Sequence, residues 1–123
     1  MGEPKTVFYA HCIDTYDTEQ EQEDLAALKA MGFKVFNPNC ENYRKAYEEK
    51  GMSASEPIIK GCDAVAFRAV IAGDYITSGV GAEIAMARRF NKPVIEIPHF
   101  SSIIRRVMSR DTTKTYLKDI GVR

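Results

Sequence analysis

Glu83 stands in the run Ser78-Gly79-Val80-Gly81-Ala82-Glu83-Ile84, in which glycines open a helix after an apolar strand. At about 100° per residue it falls in the arc shared by Val80, Ile84, Met86, Ala87 and Phe90, the side that should turn towards the core. An ionised carboxylate costs free energy there unless it is paired, hydrogen-bonded or used in chemistry. One use is nucleophilic, as attack on the anomeric carbon of a sugar or support of an oxocarbenium-like centre. The other reading is structural, a glutamate at the edge of the arc that accepts bonds from loop amides. Around it, Gly79 and Gly81 let backbone approach a ligand closely. The hydroxyls of Thr77 and Ser78 either cap the helix, with Ser78 as N-cap, or hold a sugar or phosphate.

Other residues able to do chemistry lie near the end of the first strand pattern. His11 either contacts a ligand or is a hydrogen-bonded structural residue. Histidines occur only at positions 11 and 99, without paired spacing, so neither a metal nor an organic cofactor is expected. Cys12 has His11 as its only base, and adjacent residues of a strand project to opposite sides, which disfavours a cysteine nucleophile. Asp14, followed by Thr15, either hydrogen-bonds sugar hydroxyls or caps the turn into the first helix. Asp63 starts a strand at the far end of the sheet and reads as structural.

The elements that must position these groups alternate in type. Thr6 to Cys12 reads as a strand. Thr18 and Glu21 form a capping box that starts a helix through Leu25, Leu28 and Met31, and Gly32 stops it. Phe33 to Phe36 reads as a second strand, closed by Asn37-Pro38-Asn39. The polar stretch Cys40 to Gly51 reads as a loop with a helical turn. Met52 to Gly61 carries a weak helical pattern in which Pro57 marks a break or a first-turn position. Asp63 to Ala69 is a strand buried on both faces, and Ile71 to Tyr75 a loop tip. A helix over Gly79 to Asn91, a strand over Pro93 to Ile97 and a last helix over Asp111 to Ile120, capped by Gly121, complete the chain. The pattern predicts a single doubly wound α/β domain over residues 1–123, with a mainly parallel, flavodoxin-like or Rossmann-like sheet between two helical layers. With the first strand between the second and third, the crevice lies between loops carrying His11, Cys12 and Asp14 on one side and Asp74, Thr77, Ser78 and Gly79 on the other. Gly81 and Ala85 form a small strip that invites packing by another helix, within the chain or across a dimer.

Seventeen basic and seventeen acidic residues balance among 123, which argues against nucleic acid or a membrane surface as a charge-driven partner. The three cysteines read as free thiols in a reducing cytosol. With no apolar run near ~20 residues and no signal-peptide core, the expectation is a cytoplasmic protein.

The stretch Thr77 to Ile95, TSGVGAEIAMARRFNKPVI, resembles the Gly-x-Gly-x-Glu segment, helix and strand of the nucleoside 2-deoxyribosyltransferases and their relatives, the 2'-deoxynucleoside 5'-monophosphate N-glycosidases. The likeness extends over about residues 6 to 97. It implies Glu83 as catalytic nucleophile, Thr77, Ser78 and Gly79 against sugar hydroxyls or a phosphate, and Asp14 and His11 orienting sugar or base. It also implies a small-molecule nucleoside or nucleotide partner and a homodimer or larger oligomer whose subunits complete the site. The chain departs from the family at Phe8, where a tyrosine is usual, at Ser55, where an acid is usual, and at Thr77, where the family has Asp or Ser. Those departures leave a second expectation, a non-catalytic module that binds a nucleotide or an ADP-ribose-like ligand.

Overall fold

Apolar alternation along β1 (Thr6–Ala10) settles the architecture, because Val7 and Tyr9 project to one side and Phe8 and Ala10 to the other, and all four are fully buried. A computed structural model describes residues 3–69, 75–97 and 106–122. In it β1 pairs in parallel with β2 (Lys34–Phe36) and β3 (Ala64–Arg68), and β3 pairs in parallel with β5 (Val94–Ile97). The order β2-β1-β3-β5 is the doubly wound arrangement expected from the alternation of elements.

Helix α1 (Glu19–Ala30) covers the face of Val7, Tyr9, Ala64 and Ala66, where Leu28 is buried. Helices α3 (Ser55–Gly61) and α4 (Ser78–Arg89) cover the other face, packing Ile59, Val80, Ile84 and Ala87 on Phe8, Ala10, Val65 and Phe67. The two clusters make a three-layer α/β sandwich. Asp63 ties β3 to β1 at its far end, its carboxylate accepting the Thr6 amide at 2.8 Å.

Helix α1 starts as expected, with Thr18 Oγ1 accepting the Glu21 amide at 3.2 Å, and ends before Gly32, whose φ of +93° suits glycine. The reciprocal half of the capping box is missing. Glu21 sends its carboxylate to the Asp17 amide, at 3.2 Å, and to His11. Met31 is 61% exposed, so the apolar stripe ends at Leu28.

Cys40 to Gly51 is a correction. It forms helix α2 (Glu41–Lys50), not a loop, and buries Tyr43. A short 3-10 turn, Gly51–Ala54, leads into α3, where Pro57 occupies the first turn and so displaces no helical hydrogen bond. The last helix, α5 (Arg110–Asp119), ends with Gly121 at φ +81°. Asp74, His99 and most of the expected loop tip Ile71 to Tyr75 lie outside the described residues; Tyr75 itself opens β4 (Tyr75–Ile76).

Strand β4 pairs in parallel with β6 (Arg106–Val107) in a small second sheet that the sequence pattern did not announce. It changes the account of Gly81. A Cβ built on Gly81 would lie 2.5 Å from Val107 Cγ1, so β6, not a helix, uses the missing side chain, while Ala85 stays exposed. Gly81→Ala is therefore expected to destabilise the fold by ~1–3 kcal/mol, and Val107→Ala in the same chain should recover most of it. Gly79→Ala is the control, because a Cβ there meets the Met52 side chain at an ordinary 3.6 Å from Sδ. Urea unfolding measures all three, and a Gly81→Ala chain as stable as the parent would contradict the close approach.

Candidate active site

Helix α4 carries Glu83 one turn inside its N-terminus and presses it against the apolar sheet face with Val80, Ile84 and Ala87, so that the residue is only 5% exposed. Two hydroxyls from the opposing helices meet it. Ser55 Oγ donates to Glu83 Oε2 at 2.6 Å, and the Tyr43 hydroxyl lies 3.5 Å from the same oxygen and 2.5 Å from Ser55 Oγ. A serine has a single proton to give, so with Ser55 donating to Glu83 the short contact is Tyr43 donating to Ser55. Oε2 thus takes the Ser55 proton directly, and Tyr43 acts on it through Ser55. Oε1 has no partner among the described residues.

Burial dominates the electrostatics. It pushes the Glu83 carboxyl up from 4.5 to about 7, against the opposing pull of the Ser55 and Tyr43 hydrogen bonds. The Tyr43 and Tyr16 phenols are pushed above their ordinary range, first by burial and then by the nearby Glu83 charge, so both remain proton donors at neutral pH.

The loop before α4 offers backbone. Its N-cap is Thr77, one residue earlier than expected, and the Thr77 side chain makes no capping bond. The Ser78 amide is already taken by Thr113 Oγ1 of α5, at 3.0 Å, and the first helical bond runs from the Gly81 amide to the Thr77 carbonyl at 2.9 Å. The amides of Gly79 and Val80, between these, have no partner among the described residues. They sit at the positive end of the helix one turn before Glu83, where a sugar oxygen or an anion is favoured. Thr77, Ser78 and Gly79 thus lie together at the start of α4, with the Ser78 amide engaged and Glu83 farther along the same helix.

His11 and Asp14 bond to groups other than Glu83. His11 points to the α1 face, stacked on Tyr9 with ring centroids 3.7 Å apart, and is 5% exposed. Its Nδ1 donates to the Tyr9 carbonyl at 3.0 Å and its Nε2 lies 2.8 Å from Glu21 Oε2. Both partners are acceptors, so the bridge to Glu21 carries a proton shared within the pair. Both ring nitrogens of His11 are thus engaged within the protein. Asp14 sits in the 3-10 turn Ile13–Thr15 and accepts from the Tyr116 hydroxyl of α5 at 2.7 Å, pinning that turn to α5. Cys12 is buried, its thiol pushed up to about 12 by desolvation, which leaves it inert. A shallow hollow of about 440 Å³, lined by Met108, Asp111, Thr112, Thr115, Tyr116 and Asp119, lies along α5 and shares no residue with the Glu83 cluster.

Tyr43 and Ser55 are the site residues that sequence reasoning missed. Tyr43 was hidden because α2 has few apolar residues to mark it; the signal present was the pair Tyr43 and Tyr47 one helical turn apart, with rings 6.2 Å from each other. Ser55 was noted only as a departure from a family pattern.

Comparison with solved structures finds a likeness of fold. The solved structure of the CMP N-glycosidase BcmB from Clostridium botulinum matches over 97% of this chain and 100% of its own, at a TM-score of 0.50 and 20% identity. At that identity the likeness establishes a shared α/β fold, the one the sequence resemblance implied. No family model and no curated protein matches the chain.

A raised carboxyl pKa has a cost in stability. Between pH 4.5 and about 7 folded Glu83 keeps a proton that the unfolded chain has lost, so stability falls as pH rises through that window and the loss is complete above it. Glu83→Gln removes the penalty. It is expected to be more stable than the parent at pH 8, by up to ~3 kcal/mol, with the difference shrinking towards pH 4.5 in urea unfolding. A difference that does not change with pH would contradict a buried, titrating Glu83.

Proposed function

We propose that the chain cleaves or transfers the N-glycosidic bond of a nucleoside or nucleotide, with Glu83 as nucleophile. The observation that carries this reading is a buried carboxylate with one oxygen held by the hydroxyl chain of Tyr43 and Ser55 and the other without a partner among the described residues, one turn behind helix amides that also lack one there. The fold likeness to a CMP N-glycosidase supports it.

In this mechanism Glu83 Oε1 attacks the anomeric carbon as the bond to the base nitrogen breaks. The base leaves with the bonding electron pair and takes a proton from solvent, and a glycosyl ester remains on Glu83. Water then attacks the same carbon, loses a proton, and returns the carboxylate with release of the sugar; a second base in place of water gives transfer. The Gly79 and Val80 amides and the Thr77 hydroxyl hold sugar oxygens or a phosphate, and Tyr16 stands within electrostatic reach of the reacting carboxylate. A second copy of the chain is part of the proposal, because a domain of 123 residues offers few walls for a nucleoside.

Deoxyribosides, ribosides and their monophosphates incubated with the protein, then chromatographed for free base, test it. Base release should appear with at least one of them, be lost in Glu83→Gln, and show kcat/KM rising with pH through about 7 as Glu83 ionises. Equal rates in parent and variant would eliminate Glu83. Tight binding without base release from any of them would assign the site to a non-catalytic nucleotide or ADP-ribose-like binding module.

A further inference from the structure

Glu83 has two oxygens and the fold treats them differently. Ser55, fully buried at the start of α3, donates to Oε2, and Tyr43, 8% exposed on α2, donates to Ser55, while Oε1 has no partner among the described residues. The Tyr43 ring is itself held, meeting Phe36 edge-on with centroids 6.4 Å apart, so its hydroxyl has little freedom to leave Ser55. A chain of hydroxyls ending on a carboxylate polarises along its length when the carboxylate is ionised, and each link strengthens the next. Such a chain fixes the plane of the carboxyl group, and with it the direction of the free oxygen.

The geometry points to Tyr43 and Ser55 as a positioning pair that clamps Oε2 and presents Oε1 as the one attacking atom. This rests on the proposed reaction for its purpose but not for its existence, since the clamp is a property of the unliganded protein. Neither residue touches substrate. Among the described residues, what surrounds Glu83 otherwise is not titratable near neutrality: the sheet face beneath α4 presents Phe8, Ala10, Val65 and Phe67, and α5 presents Thr113 to the start of α4. The phenols of Tyr43 and Tyr16 are the ionisable groups whose fields are coupled to Glu83, and burial keeps both protonated. A transition near pH 7 therefore belongs to the carboxyl, and the clamp is legible in it because both hydroxyls favour the ionised form.

The test uses the whole protein with glutamate side-chain carboxyls labelled with carbon-13, the Glu83 signal being the one absent from Glu83→Gln. In Ser55→Ala the carboxyl should bind its proton roughly tenfold more tightly than in the parent, and in Tyr43→Phe the change should be in the same direction and smaller. With a substrate that the parent cleaves, both variants should lose roughly tenfold to hundredfold in kcat with KM little altered, and their rate profiles should move to higher pH in step with the titrations. Should Ser55→Ala fail to fold, Tyr43→Phe decides, since it keeps the ring and removes only the hydroxyl. Folded variants that titrate like the parent, or whose carboxyl loses its proton more readily, would overturn the pairing. If the parent releases no base from any substrate the proposed reaction falls, while the two titrations still decide whether the clamp exists.

Discussion

A carboxyl group held in an apolar contact between α4 and the sheet constrains much of the rest of this structure. Burying an ionised Glu83 without partners would cost several kcal/mol, and among the described residues no cation pairs with it; what reaches it there is the hydroxyl chain of Tyr43 and Ser55. Those hydroxyls come from α2 and α3, helices that follow β2 in the chain, whereas Glu83 follows β3. The site therefore exists only when both crossovers have packed on the same face, and its geometry inherits the rigidity of that core. The partial compensation leaves a group poised near neutrality, less stabilising than an apolar residue and more reactive.

A second buried polar cluster lies on the opposite face and steadies the same end of the sheet. Asp24 receives Arg68 through Nε and Nη2, the latter at 2.7 Å, and also the Tyr9 hydroxyl; nearby Glu21 receives Asn39 at 3.1 Å and pairs with His11. Arg68 is the last residue of β3 and His11 follows the last of β1, so these bonds anchor the strand ends from which the crevice loops depart. Removing one member of such a set strands the others in a low dielectric, which is the costly way to break a buried pair.

The sheet order was legible because each strand pattern was short, apolar and separated by a helical period, and a parallel sheet follows from that alternation. Glu83 was legible because a charged residue interrupted an otherwise apolar arc. The buried carboxylates of α1 carried the same signal, Glu21 and Asp24 leading to Leu28 on one stripe, but the capping box offered a local explanation for Glu21 and drew attention away from burial. Tyr43 was not legible, since α2 buries little besides that one ring and its polar residues imitate a loop. His11 could be placed only with its partners in view, because strand parity says which face it takes and nothing about Glu21 waiting there. The β4 and β6 pairing, two residues on each side, is too short to leave a periodic trace, and its only mark was a glycine on the outer face of α4.

The claim that Glu83 forms the bond to sugar is most directly tested by trapping. A 2'-fluorinated arabinosyl nucleoside destabilises the oxocarbenium-like transition state and slows breakdown of the glycosyl ester. Intact mass after incubation should show one added fluorinated sugar, and peptide mapping should place it on Glu83 within the segment from Val80 to Arg88. An adduct on any other residue, or hydrolysis of natural nucleosides with attachment of the fluorinated sugar unchanged in Glu83→Gln, would contradict the account.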